Sequence, residues 1–136
     1  MNGLGCVLVV DDDPVSNYIT EKVVKSNDGS TLVTSTTDGL RALDYIRYQC
    51  SEDEDSSCPD LIILDINMPK LGGVGFLKKF NALNIKKHAA ILILTNVMPS
   101  EEILEQLKEH HVVGVELKPF STDKLQKIVQ EITVDS

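Results

Sequence analysis

Five short apolar runs, separated by stretches with helical spacing, constrain what this chain can fold into more than any other feature. The runs are Cys6–Val10, residues 32–33 with their Thr and Ser flanks, 61–64, 91–94 and Val112–Leu117. Three of them are continuous rather than alternating, which suits strands buried on both faces of a parallel sheet. The run at 32–33 is the weakest and most polar, as an edge strand would be. Between the runs, Val15, Ile19 and Val23 recur every four residues after Asp13-Pro14, an N-cap followed by proline at the first helical position. Leu43 and Ile46 share a face after Asp38-Gly39, and Phe76, Leu77 and Phe80 do so after Gly72-Gly73. Ile103, Leu104 and Leu107 follow Ser100 as N-cap, with Glu101 and Glu102 placed in the favourable first turn. Leu125, Ile128, Val129 and Ile132 follow Ser121. Strand and helix thus alternate five times. That order requires right-handed crossovers that wrap both faces of a parallel sheet, so the fold class is α/β and doubly wound.

The chain has 136 residues, the size of one domain, and residues 1–136 are expected to form it alone. Its 42% hydrophobic and 25% charged residues are those of an ordinary globular protein able to bury a core. A net charge of −8 argues against nucleic acid and anionic membrane as partners and favours a cation or a basic protein. No run reaches membrane-spanning length and no signal peptide is visible, so a cytoplasmic protein is expected. Residues 50–59 form a polar, acidic loop before the third strand. Cys50 and Cys58 bracket its serine- and acid-only part and are in range of a disulfide. Nothing else in the chain points to an oxidising compartment, so the pair is expected to stay reduced. Cys6 is read as a small core residue.

In a doubly wound sheet, ligands bind beyond the carboxyl ends of the strands, at a switch point in strand order. Those ends carry Asp11, Asp12 and Asp13 after the first strand, and Asp65 with Asn67 after the third. Thr95 ends the fourth strand and Lys118-Pro119 the fifth. Crowded carboxylates repel one another and call for a cation. Oxygen ligands in small number suit magnesium. A lysine and a hydroxyl beside them suit the oxygens of a phosphoryl group, and an aspartate can accept that group covalently. Each piece alone has a plain structural explanation, Asp13 as a helix cap above all. Their joint placement at successive strand ends is what points to chemistry. His88, His110 and His111 lack further ligands at metal-binding spacing and are read as structural.

Four stretches carry a more specific likeness: 7–14 (VLVVDDDP), 61–69 (LIILDINMP), 91–95 (ILILT) and 117–120 (LKPF). Together they resemble the response-regulator receiver family, of the chemotaxis-regulator fold, nearly end to end. The resemblance implies a five-stranded flavodoxin-like sheet in the order 2-1-3-4-5. It implies that Asp65 is the phosphoacceptor, that Thr95 and Lys118 contact the phosphoryl oxygens, and that the Lys118–Pro119 peptide is cis. Magnesium would be held by Asp11, Asp12, Asp65 and the backbone carbonyl of Asn67. The implied function is a switch in a two-component system or phosphorelay. It would be loaded by a sensor histidine kinase or a histidine phosphotransfer protein, and would signal to a downstream protein through its helix-four, strand-five and helix-five surface. Such a domain is not an enzyme acting on a second substrate; it catalyses only its own phosphorylation and dephosphorylation.

The chain departs from the family pattern in several places. Gly72-Gly73 replaces the usual Asp-Gly, Asn96 stands where a small residue gates the acceptor, and Val115 replaces the switch aromatic. The resemblance implies that the positions flanking the path of hydrolytic water are Asn67 and Val97, and the apolar Val97 is expected to exclude water. A magnesium-dependent phosphohydrolase with an aspartyl nucleophile is the competing class. It needs a carboxylic acid two residues past the nucleophile, where this chain has Asn67, which cannot deliver a proton.

Overall fold

The computed structural model describes residues 4–50, 58–68, 71–83, 85, 89–110 and 112–135. Residues 51–57, the serine- and acid-only part of the loop, lie outside the described residues, as do Pro69, His88 and His111. Strands β1 (Cys6–Val10), β2 (Leu32–Thr36), β3 (Leu61–Asp65), β4 (Ala90–Thr95) and β5 (Val112–Leu117) alternate with helices α1 (Pro14–Asn27), α2 (Gly39–Gln49), α3 (Gly73–Asn81), α4 (Glu101–Lys108) and α5 (Thr122–Asp135). The strands pair in parallel in the order β2-β1-β3-β4-β5. The polar run at 32–36 is an edge strand, as its composition predicts.

Alternate residues of the inner strands feed two cores. Leu8, Val10, Ile62, Leu64 and Ile93 face Ala42, Leu43 and Ile46 of α2, Phe76, Leu77 and Phe80 of α3, and Leu107 of α4. Val7, Val9, Leu61, Ile63, Leu92 and Leu94 face Val24 of α1 and Leu125 and Ile128 of α5. A strand covered on both faces has no solvent side, which is why these runs do not alternate in polarity. Each such Leu, Ile or Phe contributes about 1.5–3 kcal/mol on burial, so this apolar layer is the main source of stability.

The helix starts are built as their sequences predict. Val15 N–H donates to Asp13 Oδ1 (3.0 Å), Leu40 N–H to Asp38 Oδ1 (2.9 Å), and Ile103 N–H to Ser100 Oγ (3.3 Å). Lys124 N–H donates to Ser121 Oγ (3.3 Å). Helix α3 has no side-chain cap; Gly72 precedes it at φ 71°, a left-handed conformation that glycine adopts without steric cost. The Lys118–Pro119 peptide is cis.

Two features differ from what the sequence pattern alone suggests. The first concerns α1, where the every-fourth-residue repeat of Val15 and Ile19 marks the helix but not its buried face. These two residues are 65% and 41% exposed, and the buried face is Ser16, Asn17, Thr20 and Val24. That polar face turns inward because it has partners there: Asn17 Nδ2 donates to the carbonyls of Asp11 (3.0 Å) and Thr36 (3.4 Å). The second concerns Cys50 and Cys58, expected to be reduced thiols. They form a disulfide with their Cα atoms 4.9 Å apart. The end of α2 and the approach to β3 both pack into the same core, and that packing brings the two buried sulfurs together. Cys6 is buried in β1, as expected. Among the described residues, no helix is long and apolar enough to cross a membrane.

Candidate functional site

The carboxyl ends of β1, β3, β4 and β5 deliver four side chains to one crevice. Asp11 leaves β1 and is 2% exposed; Asp65 ends β3 at 6%. Lys118 follows β5 and reaches back over the sheet, its Nζ 2.7 Å from Asp11 Oδ2 and 3.6 Å from Asp65 Oδ2. Asp12 is exposed, yet one oxygen from each of Asp11, Asp12 and Asp65 falls within 4.8 Å of the others. Asp13 takes no part in this cluster beyond its backbone and serves as the cap of α1. Thr95 is fully buried at the end of β4. Its Oγ1 accepts from Asn67 Nδ2 (3.3 Å) and donates to the carbonyl of Val97 (3.1 Å).

Local backbone geometry holds these groups. Asn67 N–H donates to Asp65 Oδ1 (3.0 Å), and Asp13 N–H donates to Asp11 Oδ1 (2.9 Å). Each carboxylate is thus pinned by the turn that follows its own strand. Lys118 N–H bonds the Thr95 carbonyl (2.7 Å), which fixes the lysine's root beside β4.

The two buried carboxyls are driven in opposite directions. Burial raises Asp65; the Asn67 N–H opposes this, the negative Asp11 adds to it, and the net shift is above the usual aspartate range. Burial also pushes Asp11 up, but hydrogen bonds from Lys118, Ser16 and the Asp13 N–H outweigh it and leave this carboxyl below its ordinary value. Burial would lower Lys118; its bond to Asp11 and the charges of both aspartates more than reverse that, so the ammonium is held charged. In this state the lysine supplies the counter-charge the cluster requires. The donor set is all oxygen, small and acidic, with solvent access through the exposed Asp12, and it fits a hard divalent cation such as magnesium.

The sequence reading missed Ser16 and Asn17. Ser16 is buried near Asp11 and helps hold its carboxyl low, and Asn17 ties the Asp11 carbonyl to β2. The available signal was two polar residues in the first turn of a capped helix, three and four positions after the acidic triplet. It also missed the side chain of Asn67 as the partner of Thr95. Asn96 is exposed and lines a hollow of about 270 Å³ with Asp13, Val15 and Lys118. Val97 is 71% exposed on the loop that follows β4. Val115 is half-buried on β5, away from the carboxylates, beside a groove of about 600 Å³ between α4 and β5.

Comparison with known proteins agrees with this geometry. Residues 7–130 match the response regulator receiver domain. The two-component response regulator ARR17 of Arabidopsis thaliana is 30% identical, over 90% of this chain and 80% of that protein. The crystal structure of chemotaxis protein CheY4 from Vibrio cholerae superposes with a TM-score of 0.77 at 28% identity, covering 96% of this chain and 99% of that one. The receiver domain of the Arabidopsis thaliana histidine kinase CKI1, complexed with Mg²⁺ and BeF₃⁻, shares the fold with a TM-score of 0.80 at 20% identity, covering 97% and 98%. The chain spans about half the length of other curated relatives it matches. A five-stranded 2-1-3-4-5 sheet with an acidic crevice at its carboxyl end, matched along nearly its whole length, makes this chain a member of the response regulator receiver domain family of two-component signalling.

Proposed function

We propose that residues 1–136 act as one receiver domain that accepts a phosphoryl group on Asp65 from a phosphohistidine protein, either a sensor histidine kinase or a histidine phosphotransfer protein. The observation that carries this reading is the crevice itself: a buried Asp65 flanked by Asp11 and Lys118, with the Thr95 hydroxyl on the neighbouring strand. In the transfer, an Asp65 oxygen forms the new P–O bond as the P–N bond of the phosphohistidine breaks, and the imidazole leaves with the electron pair. Lys118 turns from Asp11 toward the phosphoryl oxygens, and the Thr95 hydroxyl donates to one of them. Asp11, Asp12, Asp65 and the Asn67 carbonyl would hold magnesium, which when bound neutralises the crowded carboxylates and the incoming phosphoryl charge. That a structural relative is complexed with Mg²⁺ and BeF₃⁻ supports the assignment. A cytoplasmic location goes with it, because phosphohistidine donors are charged from ATP, although the Cys50–Cys58 disulfide is of a kind rare in that compartment.

The output surface is read as α4, β5 and α5, where the groove beside Val115 is walled by Leu104 and Leu107 and rimmed by Glu101 and Glu105. Loading the acceptor shifts a pre-existing two-state equilibrium of that surface toward the form its downstream partner binds. The test is incubation with acetyl phosphate and magnesium, followed by intact-mass measurement. One phosphoryl group should add to the wild type and none to Asp65→Asn; labelling that persists in the variant refutes the assignment.

A further inference from the structure

Thr95 has one hydroxyl proton, and in this structure it is committed. Oγ1 donates to the Val97 carbonyl at 3.1 Å while accepting from Asn67 Nδ2 at 3.3 Å. A hydroxyl so placed cannot at the same time donate to a phosphoryl oxygen on Asp65. The backbone that carries the Asn67 amide is well anchored, although the residue itself is exposed. Its backbone N–H is held by Asp65 Oδ1 at 3.0 Å, and the turn that carries it is tied to α3 by Gly73 N–H on the Ile66 carbonyl, also 3.0 Å. Thr95, for its part, is fully buried on a rigid inner strand. The contact therefore joins two fixed points, β3's terminal turn and β4's end, through the one group the switch has to turn.

We propose that the Asn67 side chain is a latch that holds Thr95 in the unphosphorylated orientation and so sets how readily this domain switches. Asn67 is a positioning residue here, acting through Thr95 rather than on the phosphorus. When Thr95 rotates to the phosphoryl oxygen, two bonds are given up together, the one from Asn67 and the one to Val97. The Val97 carbonyl is then released at the rim of a hollow of about 390 Å³ lined by Asn67, Val97, Met98 and the start of α3, which gives the loop after β4 somewhere to move. This latch offers an exit for the signal that does not pass through Val115, where the chain lacks an aromatic ring. The inference rests on the proposed phosphoacceptor role of Asp65.

Removing the amide while keeping the backbone carbonyl isolates the latch. In calorimetric titrations with beryllofluoride and magnesium, Asn67→Ala should bind the phosphoryl mimic about three- to tenfold more tightly than wild type, the scale of one net hydrogen bond. Thr95→Ala should bind more weakly, and adding Asn67→Ala to it should bring no gain, because the latch then has nothing to hold. Unchanged or weaker binding by Asn67→Ala overturns the proposal. So does a gain that persists without Thr95, which would make Asn67 a direct contact of the mimic. Wild type that takes up no beryllofluoride would instead refute the phosphoacceptor reading. The latch is then still decided by methyl NMR of the protein free of metal and phosphodonor, where Thr95 should occupy one rotamer in wild type and average between rotamers in Asn67→Ala. Asn67→Ser, too short to span the gap, should behave as the alanine variant does and replaces it if the latter folds poorly.

Discussion

Asp11 and Asp65 are the same residue type on adjacent strands, yet their surroundings separate them. Asp11 has the lysine at 2.7 Å, and Asp65 has it only at 3.6 Å with a negative neighbour besides. Asp65 is held above its ordinary pKa of 3.8, so its contribution to stability is fully present below that value and is lost as the pH rises through the folded-state pKa. Asp11 is held below, so its contribution is present above 3.8 and is lost as the pH falls. At neutral pH without metal, an ionised Asp65 is therefore a destabilising charge. Asp65→Asn should raise unfolding stability in urea by about 1–2 kcal/mol, the scale of a like-charge contact partly offset by the lysine. That advantage should shrink on acidification as the wild-type carboxyl protonates. A variant less stable than wild type at neutral pH, or a difference independent of pH, would contradict this account.

Among the elements, α3 and α2 show how packing fixes the site and closes the loop beside it. Gly73 begins α3 against the turn that carries Asn67, and a Cβ built there would lie 2.7 Å from Ile66 Cα. Neither backbone can yield cheaply, so Gly73→Ala should cost about 1–3 kcal/mol, measured by urea unfolding, and should weaken magnesium binding because the turn carrying the Asn67 carbonyl is displaced. Retention of both stability and magnesium affinity would show that the turn is softer than its contacts imply. The Cys50–Cys58 bridge joins the end of α2 to the approach to β3 across a sequence separation of 8. Loop-closure entropy gives such a link about 2–3 kcal/mol. Cys50→Ser/Cys58→Ser should lose that amount relative to oxidised wild type and should no longer respond to reductant; equal stability would argue against the bridge. Sequence made the existence of α1 plain through Asp13-Pro14 and the four-residue repeat of Val15, Ile19 and Val23. It did not assign the buried face, because periodicity reports an apolar stripe but not whether polar partners such as the Asp11 and Thr36 carbonyls wait beneath another one.

For the molecule as a whole, a net charge of −8 with an acidic cluster at the carboxyl edge of the sheet makes cation binding the natural lever on stability. A cation that binds only the folded chain stabilises it by mass action, by about 2.7 kcal/mol at a hundredfold excess over the dissociation constant. Thermal unfolding should shift upward with magnesium in wild type and hardly at all in Asp12→Asn; a midpoint indifferent to magnesium would remove the metal site. The alternation of five apolar runs with five helical repeats was enough to determine the doubly wound sheet, because the continuous polarity pattern of the three inner runs is a direct consequence of burial on both faces. The same local chemistry marked Asp11, Asp12, Asp65, Thr95 and Lys118, since strand ends in such a sheet converge by topology. Tertiary structure alone decided the rest. Which face of α1 is buried, that Cys50 and Cys58 meet, and that Asn67 engages Thr95 across β3 and β4 all depend on how helices and strands pack against one another. Their distances are set by packing of the whole, and no local pattern of residues encodes them.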